Sequence, residues 1–135
     1  MIRLTIVILI AASLATLASL EQFWIQGTYD KLDRKTSELV AVVSATPSKD
    51  EGGDIATEEN IAKINQAYEW WLRKERQLSM LARHFDLSQV STNLIYAKNF
   101  IAFNNKEEAM VGLLQVQYLI KTHSFNIGTS IQNVI

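Results

Sequence analysis

The sequence predicts an all-α protein in which an N-terminal transmembrane helix continues into an antiparallel helical bundle. Three observations support this class. The 135 residues include one proline and five glycines, so few residues interrupt a helix. Apolar residues recur at alternating steps of three and four along most of the chain, which is the spacing of one helix face. Residues 4–20 carry no charge.

Composition excludes several classes of function. Thirteen Lys+Arg against fourteen Asp+Glu give a net charge of -1. Proteins that grip nucleic acid carry a basic excess, so we expect no nucleic-acid partner. The chain has no cysteine, which excludes disulfides, thiolate metal sites and cysteine nucleophiles. The glycines do not have the spacing of a phosphate-binding loop.

Residues 1–23 are predicted to be a transmembrane anchor. The uncharged stretch 4–20 forms a helix of about 25 Å, and its apolar flanks extend it towards the ~30 Å core of a bilayer. Phe23 and Trp24 are typical of the aromatic belt at a membrane surface. A cleaved signal peptide is the alternative, because residues 13–18 contain small-x-small triplets. We favour a retained anchor because the helical pattern continues past these triplets.

The flanking charges bear on the orientation of this anchor. Arg3 and the short N-terminal tail favour a cytoplasmic N-terminus, which places the bundle, residues 24–135, outside the cell membrane. The basic residues Lys31, Arg34 and Lys35 favour the opposite orientation. We predict an extracytoplasmic bundle, because a three-residue tail is too short to hold a domain on its own side.

A stripe of small residues runs along the anchor. Ala11, Ala15 and Ser19 recur every four residues, a spacing that allows two membrane helices to approach closely. The stripe makes a homo-oligomer a candidate arrangement. The alternative is that these are the small residues ordinary in any anchor or signal sequence.

Two apolar stripes predict the first half of the bundle. The first runs from Ile25 to Val43 and continues the anchor directly. Residues 45–56 break the pattern with proline, glycine and charged residues and are predicted to form a flexible loop. Thr57 is predicted to cap the next helix. The stripe of that helix consists of Ile61, Ile64, Tyr68, Trp71, Glu75, Leu78, Ala82 and Phe85.

Two further helices are predicted to form an antiparallel hairpin. The third helix begins at Asp86, with Gln89 in capping-box spacing, and the fourth follows Asn105, with Glu108 reaching back to the cap. Short connections imply antiparallel neighbours. The hairpin either forms the centre of the bundle, which we favour, or offers an apolar face to a partner. The third stripe consists of Leu87, Val90, Leu94, Ala97 and Ile101, widened by Tyr96, Phe100 and Phe103.

The end of the chain is predicted to leave the last helix. That helix runs to about His123 through Ala109, Leu113, Val116 and Ile120. Residues 124–128 are predicted to break it, and residues 131–135 form an apolar tail that packs back on the bundle.

No residue pattern predicts a catalytic, cofactor or metal site. His84 and His123 are placed at helix ends, where a cation complements the dipole, and no HExxH-type spacing occurs. Asp86 is interpreted as a helix cap. Glu75 is the one charged residue on a stripe, so we expect it to pair with a Lys or Arg or to lie at the stripe's edge. A buried acid with a raised pKa lacks support from a second acid.

A basic cluster beside a tryptophan is the candidate interaction surface. Arg73, Arg76 and Arg83 follow Trp70, which lies about 100° round the helix from the stripe residue Trp71. This arrangement is typical of an anchor for an acidic protein surface or anionic lipid. The alternative is a solvated face with Trp70 folded over its own helix.

The order of these features carries a family resemblance. Its residues are Phe23-Trp24, Trp71, His84-Phe85-Asp86-Leu87, Asn105-Lys106-Glu107-Glu108-Ala109 and residues 131–135. In these the chain resembles the uncharacterised bacterial family catalogued as domain of unknown function 4363, over nearly its whole length. The loop at residues 46–54 departs from the pattern. The resemblance implies a membrane-anchored helical domain of Gram-positive, often spore-forming bacteria, with no known activity.

The sequence therefore predicts a non-enzymatic single-pass membrane protein. Its helical domain would act outside the cell membrane as an interaction or scaffold domain, with membrane lipid and an unidentified protein as partners. The alternative is an extracytoplasmic small-ligand sensor or binding module with a pocket near Glu75 and Tyr96. An enzyme is disfavoured because no catalytic constellation occurs.

Overall fold

The computed structural model describes the backbone of residues 1–81 and 83–134, and the side chains of these residues except His84 and residues 124–134. In the described part every regular element is a helix, which confirms the all-α class. The helices are α1 Ile2–Ala45, a 3-10 turn Lys49–Glu51, α2 Glu58–Leu78, α3 His84–Ala102 and α4 Lys106–Val134.

Helix α1 has two halves of different character. Up to Trp24 it has no buried residue, although it is apolar. Among the described residues, it is the one helix long and apolar enough to cross a membrane. From Ile25 onward one stripe is buried, as predicted. The buried residues of α1 are Ile25, Thr28, Tyr29, Leu32, Thr36, Leu39 and Val43.

Helices α2 and α4 pack antiparallel on the second half of α1, and α3 packs against α2 and α4. The ring of Tyr29 lies 5.9 Å from that of Trp71 in α2. Gln117 of α4 donates a hydrogen bond to Ser37 of α1 at 2.9 Å. We call the end of the bundle from which the apolar half of α1 emerges the near end, and the opposite end the far end. The turn between α2 and α3 lies at the near end.

Helices α3 and α4 approach closely because of a glycine. A Cβ atom on Gly112 would lie 3.0 Å from the backbone nitrogen of Ala97. The predicted apolar stripes of both helices are buried. Their fully buried members are Leu87, Val90, Leu94, Ala97, Ile101, Ala109, Leu113 and Val116.

Polar side chains connect the segment 45–56 to the far end of the bundle. Thr57 caps α2 as predicted, accepting a hydrogen bond from the Asn60 backbone at 3.1 Å. Asn104 has a positive φ of 54°. Its side chain accepts from the Ile55 backbone at 2.8 Å and donates to the Gly53 carbonyl at 3.2 Å. Ile55 is fully buried, so this segment has its own anchor in the core.

A close backbone contact inside this segment requires glycine. A Cβ atom on Gly53 would lie 1.7 Å from the Pro47 carbonyl oxygen. The Gly53 backbone also donates to Ser48 at 2.9 Å. Gly52 has a φ of 85°, in the left-handed region that glycine adopts without strain.

The predicted junction between α2 and α3 was wrong by about two turns. Helix α2 ends at Leu78 instead of continuing to Phe85, which is 69% exposed in the first turn of α3. A hydrogen bond from Leu81 to the Leu78 carbonyl tightens the chain into a turn there. Asp86 therefore lies inside the first turn of α3 and is not its cap. Ala82 lies outside the described residues.

The end of the hairpin also differs from prediction. Phe103 is 74% exposed because it follows the last residue of α3 and turns away from the core. Asn105 does cap α4, accepting from the Glu108 backbone at 3.2 Å. The carboxylate of Glu108 does not reach back, because it accepts a hydrogen bond from Tyr96 instead.

Helix α4 continues through the predicted break at residues 124–128 and ends at Val134. Gly128 is the strongest helix breaker in that stretch, and one glycine costs a helix only about 1 kcal/mol. The predicted packing of the apolar tail lies outside the described side chains.

Candidate functional site

A chain of buried hydrogen bonds links α2 to α3. The indole of Trp71 donates to the hydroxyl of Ser91 at 3.0 Å, and that hydroxyl donates to Glu75 at 2.6 Å. Trp71 is core, as predicted. Glu75 is half-buried at the edge of the stripe and uses Ser91 as its partner. The described residues contain no ion pair with Glu75, so of the two predicted arrangements the position at the edge of the stripe is the one observed.

A second polar pair links α1 to α4. The Tyr29 hydroxyl lies 3.3 Å from Nδ1 of His123. Burial and, to a smaller extent, the nearby charge of Asp86 raise the pKa of Tyr29 to about 12. Burial lowers the pKa of His123, against the opposing effect of Asp86. The phenol hydroxyl and the imidazole Nδ1 therefore form a buried hydrogen bond whose donor depends on the tautomer of His123.

This pair corrects the prediction for His123. The residue does not serve as a cation at a helix end, because α4 continues past it and the side chain is buried. The side chain of His84 lies outside those described. Tyr29 and His123 are 1% and 7% exposed, so the pair lies inside the bundle and connects α4 to α1. Within the described residues, no three His, Asp or Glu side chains are grouped to bind a metal ion.

The predicted interaction residues occupy the outer face of α2 and the turn that follows. Arg73, Arg76 and Arg83 are exposed. Trp70 is half-buried and packs against the core, with the Lys35 ammonium 5.4 Å from its ring centroid. That distance fits a cation–π contact. The indole thus joins α2 to α1 while leaving part of its surface to solvent.

The sequence analysis missed a groove at the near end. Its volume is about 370 Å³, and its walls are mostly apolar. The sequence contained one signal for this groove. The α1 residues that line it are spaced by alternating steps of three and one, which places them on a single helix face. The lining residues are Leu20, Phe23, Trp24, Gly27, Thr28 and Lys31 of α1 and Lys74 of α2.

Exposed apolar side chains surround the near end. Met80 is 89% exposed in the turn after α2, and Leu81 and Phe85 are exposed beside it. Phe23 is exposed on α1. Because α2 is antiparallel to α1 and its Lys74 shares the groove with Gly27, the end of α2 at Leu78 lies about 6 Å further along, towards the apolar half of α1, and Met80 follows it.

Comparison with protein families, with curated proteins and with solved structures gives no match for this chain. The resemblance to domain of unknown function 4363 therefore stays a prediction based on the residues named for it. The geometry of α1 and of the near end is the basis for assigning a function.

Proposed function

We propose that this chain is a single-pass membrane protein that presents a helical bundle outside the cell membrane and acts by binding. Residues 1–23 are the anchor and residues 24–135 the bundle. The observation that supports this function is the unbroken helix α1, which is uncovered and apolar in its first half and packed in its second. In water that first half would expose a large apolar patch, at a cost of about 25 cal/mol per Å².

The polar residues of the anchor are compatible with lipid. Ser13, Thr16 and Ser19 each donate a hydrogen bond to the backbone carbonyl four residues earlier, at 2.8 to 2.9 Å. A helix whose polar groups are bonded internally has none left to solvate in hydrocarbon. The same continuous helix favours a retained anchor over a cleaved signal peptide, because residues 13–18 lie inside it.

The exposed apolar side chains of the near end support a bundle that lies close to the membrane. Met80 and Phe85 lie at the level where α1 leaves its apolar half. Arg83 lies between them in sequence and is exposed. Apolar side chains with a neighbouring cation suit the boundary between acyl chains and anionic headgroups.

Binding to a protein partner is assigned to the outer face of α2. Arg73 and Arg76 project from a helix that the core holds rigidly through Trp71, and Trp70 adds an aromatic edge. Exposed arginine beside an aromatic ring is typical of interface hot spots. Self-association through Ala11, Ala15 and Ser19, all exposed on the anchor, stays a prediction.

The small-ligand alternative has less support. Glu75 is engaged by Ser91, and Tyr96 donates to Glu108. The two residues around which the pocket was predicted are therefore each hydrogen-bonded to another residue of the protein.

Photo-crosslinking in native membranes tests the partner surface. We expect a photo-reactive amino acid at position 76 of the full-length chain to give discrete protein adducts. The same group at Lys49, which is exposed at the far end, should give none. Arg73→Glu should abolish the adducts while leaving the helical content unchanged, since Arg73 is exposed. Identical adducts from both positions, or adducts insensitive to Arg73→Glu, would contradict the assignment.

A further inference from the structure

We infer that the near-end groove binds one anionic phospholipid, with the phosphate held by Lys31 and Lys74 and an acyl chain along Leu20, Phe23 and Trp24. This inference rests on the proposed membrane anchor. It adds a specific lipid site to a chain that otherwise needs only a bilayer of suitable thickness.

The polarity of the groove matches that of a phospholipid. Leu20, Phe23 and Trp24 belong to the uncovered apolar half of α1, whereas Lys31 lies on its packed half. Leu20 and Lys31 are about 17 Å apart along the helix axis. A lipid in the groove would therefore keep its acyl chain towards the membrane and its phosphate towards the bundle.

The two lysines are available for a phosphate. In the described part of the chain the ion pair is between Lys63 and Glu59, and neither Lys31 nor Lys74 takes part in one. Lys74 is half-buried, so part of its side chain packs along the wall of the groove. Two ammonium groups beside an apolar wall attract an anion more strongly than the same groups in bulk water. Thr28 is neutral, and its hydroxyl donates to the Trp24 carbonyl.

The groove stays open because of Gly27. A Cβ atom at this position would have no neighbour within 4 Å, so packing does not require a glycine. A glycine inside a helix costs about 0.5–1 kcal/mol relative to alanine. The missing side chain leaves space that a ligand can occupy. A volume of about 370 Å³ is at the lower end for a ligand site and fits part of one lipid.

Native mass spectrometry of the full-length chain in detergent micelles tests this site. The probes are phosphatidylglycerol, phosphatidylcholine and glycerol 3-phosphate. We expect one phosphatidylglycerol to be retained at least fivefold more than phosphatidylcholine, and glycerol 3-phosphate not to be retained. Equal retention of the two lipids would overturn the inference. Retention of glycerol 3-phosphate to the same extent as phosphatidylglycerol would do so too, because the ligand would then be a soluble phosphate.

Matched variants locate the site. Gly27→Leu should fill the groove and reduce phosphatidylglycerol retention at least fivefold, whereas Gly27→Ala should reduce it less. Lys31→Gln with Lys74→Gln should abolish the preference for the anionic lipid. The control, Lys49→Gln with Lys63→Gln, removes the same charge elsewhere and should preserve it. Retention unchanged by both Gly27→Leu and the groove-lysine pair would overturn the inference.

Membrane flotation separates this inference from the proposed function. We expect the wild-type chain and Gly27→Leu to float with membranes equally, because the anchor does not depend on the groove. Failure of the wild-type chain to float would contradict the anchor itself. Normal flotation without selective lipid retention would overturn the groove alone. Circular dichroism of each variant is the control, and we expect the helical content to be unchanged.

Discussion

Single polar atoms hold the helices of this bundle in register. The indole of Trp71 needs an acceptor because it is fully buried, and the hydroxyl of Ser91 is that acceptor. The same hydroxyl donates a hydrogen bond to Glu75. Tyr29 and His123 do the same between α1 and α4. An unsatisfied buried polar group costs about 1–3 kcal/mol, so a shift of one residue in register would be penalised at both pairs.

The Tyr29–His123 pair predicts how stability depends on pH. The folded pKa of His123 is below its usual value, so the unfolded chain takes up a proton first and stability falls as the pH decreases through about 6.5. The folded pKa of Tyr29 is about 12. Stability should therefore also fall as the pH rises above about 10, by roughly 2–3 kcal/mol at pH 12.

Chemical unfolding of the full-length chain in micelles, repeated across the pH range, measures both losses of stability. His123→Gln should remove most of the loss at low pH, and His84→Gln is the matched control for the other histidine. Tyr29→Phe should remove most of the loss at high pH. Parallel pH profiles for the wild-type chain and both pair variants would show that the pair does not control the titration.

At the scale of whole elements, the apolar stripes and the caps of α2 and α4 could be predicted, whereas the α2–α3 junction and the end of α4 could not. Each stripe is repeated over several turns, so one misplaced residue does not hide it. The α2–α3 junction depends on a single tight turn, and Phe85 continues the apolar spacing although it is exposed. Spacing alone also did not show that His123 lies inside a longer α4.

In the candidate sites, features that depend on one helix could be predicted, and features that depend on contacts between helices could not. The exposure of Arg73 and the burial of Trp71 follow from their positions on one helix. The groove needs α1 and α2 together, because Lys74 comes from a different helix than the other lining residues. The pairing of Tyr29 with His123 spans 94 positions in sequence, and no local pattern reports such a contact.

The connection between α1 and α2 gives a test at this scale. Asn104→Ala removes two hydrogen bonds to the 53–55 backbone and places alanine at a positive φ. We expect a loss of about 2–3 kcal/mol in the free energy of unfolding. The loss for Asn104→Gly should be smaller than that for Asn104→Ala by about 1 kcal/mol, because glycine tolerates this φ.

Amide hydrogen exchange at Ile55 separates the two contributions. Its N–H is the donor to Asn104, so both variants should exchange faster there, while Leu94 in the core should be unaffected. Unchanged exchange at Ile55 in both variants would contradict the role of Asn104. This measurement also tests whether the segment 45–56 is as flexible as its composition predicts.

At the scale of the whole molecule, helix α1 has two halves with different surroundings. The second half supplies a wall of the core, and among the described side chains the first half has no buried residue up to Trp24. We propose a bilayer as the second apolar phase around this extension, because its thickness matches the length of the apolar half. The exposed near-end side chains and the groove lie where that phase would end.

The accessibility of single cysteines tests this central claim most directly, because the native chain contains no cysteine. Leu9 is 61% exposed in the folded chain, so any shielding of it comes from outside the chain. In intact cells treated with a membrane-impermeant maleimide, we predict that Leu9→Cys stays unmodified and Glu51→Cys is labelled from outside. Modification of Leu9→Cys as rapid as that of Glu51→Cys would contradict the membrane anchor. Labelling of Glu51→Cys only after lysis would contradict the proposed orientation.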